Sequence, residues 1–186
     1  HARVVVTGEP EIATNILYVD NDNRKASAEA TKNLVSSFQL KSPVFVRTLA
    51  DWRFEDNREL GFREAQEEGD VLSLPLEFTQ QKQALQKYFE QHQTVDGIVA
   101  SDDKLGYLAR NQAQAHLPSH PKLPTIAFNC SEYARLGGKN FYSVDVLPRT
   151  LGSEAVRLLF NDQQSPLEKT EASSVIVPYR IPKIGE

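Results

Sequence analysis

The chain has little of what several classes of protein require. Its 186 residues include one cysteine and no methionine, so an internal disulfide is impossible, which suits a reducing cytosol. No apolar run approaches the ~20 residues that a membrane-spanning helix needs, and no signal peptide is visible. The formal net charge is −4, with no block of lysine or arginine. We therefore do not expect this stretch to hold nucleic acid by its own charge.

Motifs of common enzymes and metal sites are also missing. The sequence has neither a glycine-rich phosphate loop nor a Gly-x-Ser-x-Gly turn. The segment Asp20–Lys25 fails as a calcium loop, because Arg24 stands where an oxygen ligand is needed. The spacing of His92, His116 and His120 does not match that of zinc ligands. We expect no enzyme activity, no metal and no cofactor.

Short apolar runs alternate with segments of helical periodicity along most of the chain. Apolar residues make up 40% of the sequence and charged residues 25%, as in a folded domain with a core. Strands are predicted near residues 4–6, 16–19, 43–46, 71–76, 98–100, 125–128, 142–146 and 174–177. They are continuously apolar, as expected when helices cover both faces of a parallel sheet. The pattern predicts an α/β, doubly wound fold.

Polar residues follow the apolar run 98–100 directly. Ser101 or Asp102 is predicted to be the N-cap of the next helix, because a short side-chain oxygen can accept from free backbone N–H groups. Polar groups between a strand and a helix N-terminus are also where open α/β sheets bind ligands. Capping alone explains the same residues, so both interpretations remain open.

Further sequence signals predict two helix starts and a loop elsewhere in the chain. Asp56, with Glu59 three positions later, resembles a capping box and predicts a helix start. Thr79 can cap the following helix. The segment 116–124 is predicted to be a loop, because three prolines exclude a helix.

Four sequence segments follow one another in a recognisable order. They are Asp-Asn-Arg-Glu-Leu-Gly-Phe-Arg-Glu-Ala at 56–65, Asp-Gly-Ile-Val-Ala-Ser-Asp at 96–102, Pro-Thr-Ile-Ala-Phe-Asn at 124–129, and Val-Asp-Val-Leu-Pro-Arg-Thr-Leu-Gly-Ser-Glu-Ala at 144–155. Together they resemble the ligand-binding core of the LacI/GalR family of bacterial transcriptional repressors. The family shows an Arg-x-x-Gly-Phe helix, strands ending in Asn-Asp and in Gly-Phe-Asp-Asp, and a Leu-Gly-x-x-Ala helix. The resemblance covers almost the whole chain.

The resemblance implies a type I periplasmic-binding-protein-like fold, with two doubly wound parallel-sheet subdomains and a ligand cleft between them. By analogy, residues 1–40 and 147–165 form the N-terminal subdomain, and residues 42–145 and 172–182 form the C-terminal one. The first subdomain would be incomplete and the chain truncated at its N-terminus, since the family's DNA-binding helix-turn-helix has no counterpart here. The least ordered segments are expected at 163–172 and after Pro182.

The resemblance also implies a site for a small effector, which would be a sugar, a sugar phosphate or, less readily, a purine. The implied ligand-binding residues are Arg58, Asp102, Ser101, Asn129, Trp52, Phe78 and Asp22, with Asp20 near the cleft. Arg58 matches the family arginine whose fork of donors grips ligand hydroxyls. Ser101 replaces the family's Asn, and Asn129 replaces its usual Asp. Trp52 and Phe78 are candidates to stack on a sugar, with core packing as the alternative.

The function implied is that of the effector-sensing domain of a bacterial transcriptional repressor. Such a protein would be cytoplasmic and homodimeric, and it would reach operator DNA through the missing N-terminal domain. The alternative is a sugar-binding protein of a transport system with the same fold, which an upstream signal peptide would favour. A receiver domain also begins with acids like those at 20–22. The strand 43–46, however, is not followed by the phosphate-accepting Asp and Met-Pro turn that a receiver requires.

Overall fold

The computed structural model describes residues 4–11, 16–117, 123–160, 169–170 and 174–185. In chain order the elements are β1 (Val5–Thr7), β2 (Leu17–Asn21), α1 (Asn23–Phe38), β3 (Pro43–Thr48), α2 (Arg53–Ala65), β4 (Asp70–Leu74), α3 (Phe78–Gln91), β5 (Gly97–Ala100), α4 (Asp103–His116), β6 (Thr125–Phe128), α5 (Glu132–Gly137), β7 (Phe141–Val144), α6 (Pro148–Leu159), β8 (Lys169–Thr170) and β9 (Ser174–Val177). The alternating α/β pattern predicted from the sequence is confirmed. Most of the predicted proline-rich loop, and most of the segment 163–172, lie outside the described residues.

The strands form two sheets. The larger has the order β4-β3-β5-β6-β7, and the smaller has the order β1-β2-β9-β8. Neighbouring strands are parallel throughout the larger sheet, and only the β8–β9 pair of the smaller one is antiparallel. Parallel strands end at the same edge, so the polar residues after each strand gather there.

Helices cover both faces of the larger sheet, because alternate strand residues point to opposite sides. On one face, Phe45 and Val99 pack with residues of α1 and α2, including Leu34 and Phe62. The other face packs against α3 and α4, through residues such as Val46, Ile98, Leu85, Phe89 and Ala109. The continuous apolar character of β3 and β5 follows from this double burial.

The smaller sheet has a smaller core. Val19, Val175 and Val177 are fully buried, and Leu151 and Leu158 of α6 pack against them. Helix α6 therefore belongs with this sheet. None of the described helices is both long and apolar enough to span a membrane.

The structure differs from the predicted division of the chain at two places. Helix α1 packs on the larger sheet through Ala26, Ala30 and Leu34, although residues 1–40 were assigned to the other subdomain. Strand β9 pairs with β2 in the smaller sheet, although 172–182 was assigned to the larger unit; only the residues after it pack against the larger core. Helical periodicity shows that a face is apolar, but it does not show which sheet that face covers.

Helix starts also differ from the capping signals. Helix α2 begins at Arg53 rather than after Asp56, because Arg47 draws the Asp56 carboxylate into an ion pair at 2.7 Å. Glu77, not Thr79, caps α3. Of the two candidates for α4, Asp102 is the N-cap, and its Oδ1 accepts from the N–H of Leu105 at 2.8 Å.

Candidate functional site

A cavity of about 280 Å³ lies between the two sheets, at the carboxyl ends of their strands. It is lined by Thr7, Gly8, Asp20, Asn21, Phe54, Arg58, Asn129, Val146 and Leu151. Residues from β1, the turn after it, β2 and α6 form one side, and residues from α2 and the loops after β6 and β7 form the other. This is the position at which open α/β sheets bind ligands.

Arg58 lies in the wall of the cavity, where hydrogen bonds and two aromatic rings fix its guanidinium. Its Nε donates to Oδ1 of Asn23 at 2.9 Å, and its Nη1 donates to the carbonyl oxygen of Ser101. The rings of Phe54 and Phe128 lie 5.0 and 4.1 Å from its Cζ. Since the residue is only 5% exposed, only an edge of the guanidinium is left for a ligand.

The charge of Arg58 is surrounded by carboxylates. Burial lowers the pKa of Arg58 to about 10, against the opposing effect of Asp20, Asp102 and other nearby acids. The guanidinium therefore stays protonated at neutral pH. A buried cation of this kind is stable only when charges and hydrogen bonds compensate it, and here the compensation comes from the chain itself.

Asp20 and Asn21, at the end of β2, line the cavity and bond to the chain segments that run between the two sheets. Asp20 is 8% exposed, and its carboxylate accepts from the N–H groups of Glu9 and Asn21 at 2.9 and 2.7 Å. Burial raises the pKa of Asp20 despite these hydrogen bonds. The Asn21 amide donates to the carbonyl oxygens of Val177 and Pro178 at 3.0 and 3.1 Å. One wall of the cavity is thus tied to the segment that leaves β9.

Glu55 is a buried acid behind Ser101 that the sequence did not reveal. It is fully buried, and its carboxylate accepts from the hydroxyls of Ser101 and Thr48, the latter at 2.5 Å. Ser101, a predicted ligand-binding residue, therefore turns its hydroxyl towards Glu55 and holds Arg58 through its carbonyl. A glutamate in an amphipathic helix reads as a solvent-facing charge, so no sequence signal could have found this one.

Asn129 reaches the cavity from a loop that Asp103 organises. Asn129 and Cys130 both have positive φ, 98° and 49°, and Asn is among the residues that tolerate this. Asp103 accepts from the N–H of Ser131 and the hydroxyl of Ser143, both at 2.6 Å. Burial raises the pKa of Asp103 against these hydrogen bonds. The first residue of α4 thus fixes the loop that carries Asn129.

Two predicted acids serve as helix caps outside the cavity lining. Asp102 is half-buried and caps α4, although its charge acts on Arg58. Asp22 is exposed and caps α1, with Oδ1 accepting from the N–H of Lys25 at 2.9 Å. The structure therefore brings Arg58 and Asn129 together at the cavity and places these two acids beside it.

The two predicted stacking rings also lie outside the lining. Trp52 is 45% exposed and stacks on Phe54 at a centroid distance of 5.7 Å. Phe54, which the sequence analysis did not select, is the ring that lines the cavity. Phe78 is 52% exposed and borders a separate depression with Tyr107 and Tyr133. In the described part of the chain, no group of three His, Cys, Asp or Glu side chains is placed to hold a metal ion.

No protein-family model matches this sequence. A curated protein, the HTH-type transcriptional regulator MalR of Staphylococcus xylosus, is 26% identical over 164 residues, which cover 84% of this chain and 48% of that protein. The chain therefore spans about half the length of the curated relative that it matches. That relative is a regulator rather than an enzyme, in agreement with the missing catalytic motifs.

Solved structures show the same fold. The complex of the transcriptional regulator CelR with cellobiose has a TM-score of 0.74 and 19% identity, covering 96% of this chain and 57% of that one. An ABC transporter periplasmic solute-binding protein from Actinobacillus succinogenes, with bound D-allose, has a TM-score of 0.73 and 18% identity, covering 96% and 69%. These similarities confirm the type I periplasmic-binding-protein-like fold predicted from the sequence.

Proposed function

We propose that this chain, which is an effector-binding core of the LacI/GalR family of transcriptional regulators, binds a small sugar in the cleft between its two sheets. Binding would modulate the affinity for operator DNA of the protein to which the core belongs. The observation that carries the proposal is the cavity in which Asp20 and Asn21 of one sheet face Arg58 and Asn129 of the other unit. Two comparisons support the proposal. The curated relative is a transcriptional regulator, and two proteins of the same fold have a sugar bound.

The chemistry of the lining suits a polyhydroxylated ring. The Asn129 amide can donate and accept, and the free edge of Arg58 donates. The Asp20 carboxylate and the amide oxygen of Asn21 accept, since the amide nitrogen of Asn21 already donates to Val177 and Pro178. Val146 and Leu151, with the ring of Phe54, supply an apolar surface. A sugar has hydroxyls on its edge and C–H groups on its face, so it can use both kinds of surface at once.

Regulation would follow from the position of the cavity between two packed units. A ligand that contacts both sheets binds one relative arrangement of them better than another, and it shifts the equilibrium only by that difference. The connections that would transmit the shift run beside the cavity. Asn21, at the end of β2, bonds to the segment after β9, and Asp145, after β7, pairs with Arg180 of that same segment.

The wider assembly is proposed from the family. We propose a cytoplasmic homodimer that contacts DNA through a helix-turn-helix outside this chain. Phe78 is 52% exposed and borders one depression together with Tyr107, Leu108 and Tyr133, and contiguous exposed apolar surface is typical of association sites. The similarity to a solute-binding protein of a transporter keeps transport as the second candidate, since the same cleft would serve it.

The proposal is tested by calorimetry with cellobiose, maltose and D-allose on the wild-type chain and on Asn129→Gly. Glycine keeps the positive φ of residue 129 and removes only its amide. The lost hydrogen bonds are worth about 1–1.5 kcal/mol, so we expect the affinity for the bound sugar to fall by about tenfold.

The matched control is Asn140→Gly. Asn140 also has a positive φ, 61°, and lies outside the cavity lining, so its affinity should equal that of the wild type. Equal weakening in both variants, or none in Asn129→Gly, would remove Asn129 from the site. No binding of any of the three sugars to the wild type would contradict the sugar proposal itself.

A further inference from the structure

We infer that the cleft selects an uncharged ligand and rejects its phosphate ester, so that the effector is a neutral sugar rather than a sugar phosphate. This inference rests on the proposed function and narrows it. It comes from the way the chain uses its own carboxylates, because each positive group that faces the cavity is already matched by one of them.

The first positive group is Arg58. It is the only cationic side chain that lines the cavity in the described part of the chain. Asp20, Asp102 and Glu55, together with Asp103, all act on its charge. Its Nε and Nη1 donate to Asn23 and to the Ser101 carbonyl, and two aromatic rings cover its faces. A phosphate binds an arginine best through a free bidentate fork, and here Nε and one N–H of Nη1 are already used within the chain.

The second source of positive potential is the set of helix N-termini, where free N–H groups usually attract anions. At α1 the carboxylate of Asp22 accepts from Lys25, and at α4 that of Asp102 accepts from Leu105. Just before α6, Asp145 accepts from the N–H of Leu147 at 2.9 Å. The starts of α1, α4 and α6 therefore each have an aspartate that accepts from a backbone N–H group. Helix α2, whose Phe54 lines the cavity, has no side-chain cap, but its first turn carries Glu55 and Asp56.

The third observation is that Asp20 itself lines the cavity. It is nearly buried, so its charge is poorly screened by water. An anionic ligand would lie close to this carboxylate. The one cationic side chain of the described lining, Arg58, is already surrounded by acids of the chain. A hydroxyl group, in contrast, can donate to Asp20 without any charge conflict. The same lining thus favours a neutral polyol and opposes its ester.

The arginine at the rim of the cavity is also paired with an acid. Arg53 pairs with Glu9 at an Nε–Oε1 distance of 3.7 Å, and Glu9 is the residue whose N–H donates to Asp20. That arginine is therefore matched by an acid of the same segment. Its side chain is 48% exposed, so water screens what charge remains.

The test compares neutral sugars with their phosphate esters, and also uses inorganic phosphate, on the wild-type chain. The pairs are glucose and glucose 6-phosphate, trehalose and trehalose 6-phosphate, sucrose and sucrose 6-phosphate, and ribose and ribose 5-phosphate. The thermal midpoint is measured in each, with sodium chloride at matched ionic strength as the reference. We expect no phosphate-specific rise and, for any pair that binds, at least tenfold tighter binding of the neutral member.

Two variants test whether the carboxylates near the cavity cause the exclusion of phosphate. Asp20→Asn removes the lining charge at constant size, and Asp102→Asn removes a second charge while keeping a good N-cap. Both should gain a rise in midpoint with inorganic phosphate. Asp96→Asn is the control, because Asp96 accepts from the N–H groups of Lys41 and Ser42 before β3, away from the cavity. It should respond as the wild type does.

The outcomes separate this inference from the proposed function. A phosphate-specific rise in the wild type, or an ester that binds as tightly as its neutral partner, would overturn the inference and leave an effector site in place. The same holds if Asp20→Asn and Asp102→Asn remain as insensitive to phosphate as the wild type. If the wild type binds no sugar of either kind but both variants respond to phosphate, charge exclusion is upheld and the sugar proposal fails.

Discussion

Gly61→Ala should separate helices α1 and α2, because the two helices meet with no room for a side chain at this glycine. A Cβ at position 61 would overlap the carbonyl oxygen of Arg24, and it would lie 2.9 Å from both the backbone nitrogen of Ala28 and Cβ of Ser27. The first two of these atoms belong to the backbone and cannot rotate away. The whole of α1 would have to move relative to α2.

The expected loss of stability follows from two opposing effects. Overpacking a tight interface costs about 1–3 kcal/mol, and contact with backbone atoms places this site near the upper limit. Alanine is about 1 kcal/mol better than glycine within a helix. The net loss is about 2 kcal/mol, which for a domain of this size corresponds to a fall in thermal midpoint of about 4–8 °C.

Urea unfolding of the wild type, Gly61→Ala and Gly152→Ala measures the effect. Gly152 lies in α6, and a Cβ there meets nothing within 4 Å, so this control gains helix propensity and should be stabilised by about 0.5–1 kcal/mol. A Gly61→Ala variant as stable as the wild type would refute the reasoning. Because Arg58 lies one turn before Gly61 and bonds to Asn23 beside Arg24, sugar affinity should fall together with stability.

Two further changes test the buried and exposed acids. Glu55→Gln should lower the free energy of unfolding by about 1–3 kcal/mol, since the new amide nitrogen cannot accept from Ser101 or Thr48. Urea unfolding measures this loss. The control is Glu67→Gln at an exposed position, which should leave the free energy of unfolding unchanged. Backbone hydrogen bonds from Thr79 and Gln80 lower the pKa of Glu77. Its stabilisation is therefore present above its ordinary pKa and is lost as the pH falls through the lowered value. The stability difference between wild type and Glu77→Gln should shrink from pH 7 to pH 3, and a constant difference would contradict this.

The sequence was informative where local pattern and tertiary structure agree. Strands were predictable because double burial makes them continuously apolar, as in β5, where all four residues are buried. The resemblance to the LacI/GalR family implied that Arg58 and Asn129 share one cleft, and both side chains line the same cavity. The N-cap of α4 was predicted to be Ser101 or Asp102 from the length of their side chains, and it is Asp102.

The remaining features depend on contacts distant in sequence. The signal at Asp56 failed because Arg47, on a strand, binds its carboxylate. Glu55 looks like a surface charge until Thr48 and Ser101 converge on it. Asn23 reads only as the residue after a cap, yet it holds the guanidinium of Arg58. In each case a deciding partner lies on another element, so the pattern within one helix or strand does not show the contact.

The single thiol of the chain offers a direct means of observing the cleft. Cys130 is exposed and follows Asn129, so a maleimide dye would attach at one defined position, one residue from the cavity wall, without any engineered substitution. Burial raises the pKa of this thiol, and the reactive thiolate therefore becomes more abundant as the labelling buffer is made more alkaline. A fluorophore placed there would respond to occupancy of the cleft in real time, whichever sugar fills it.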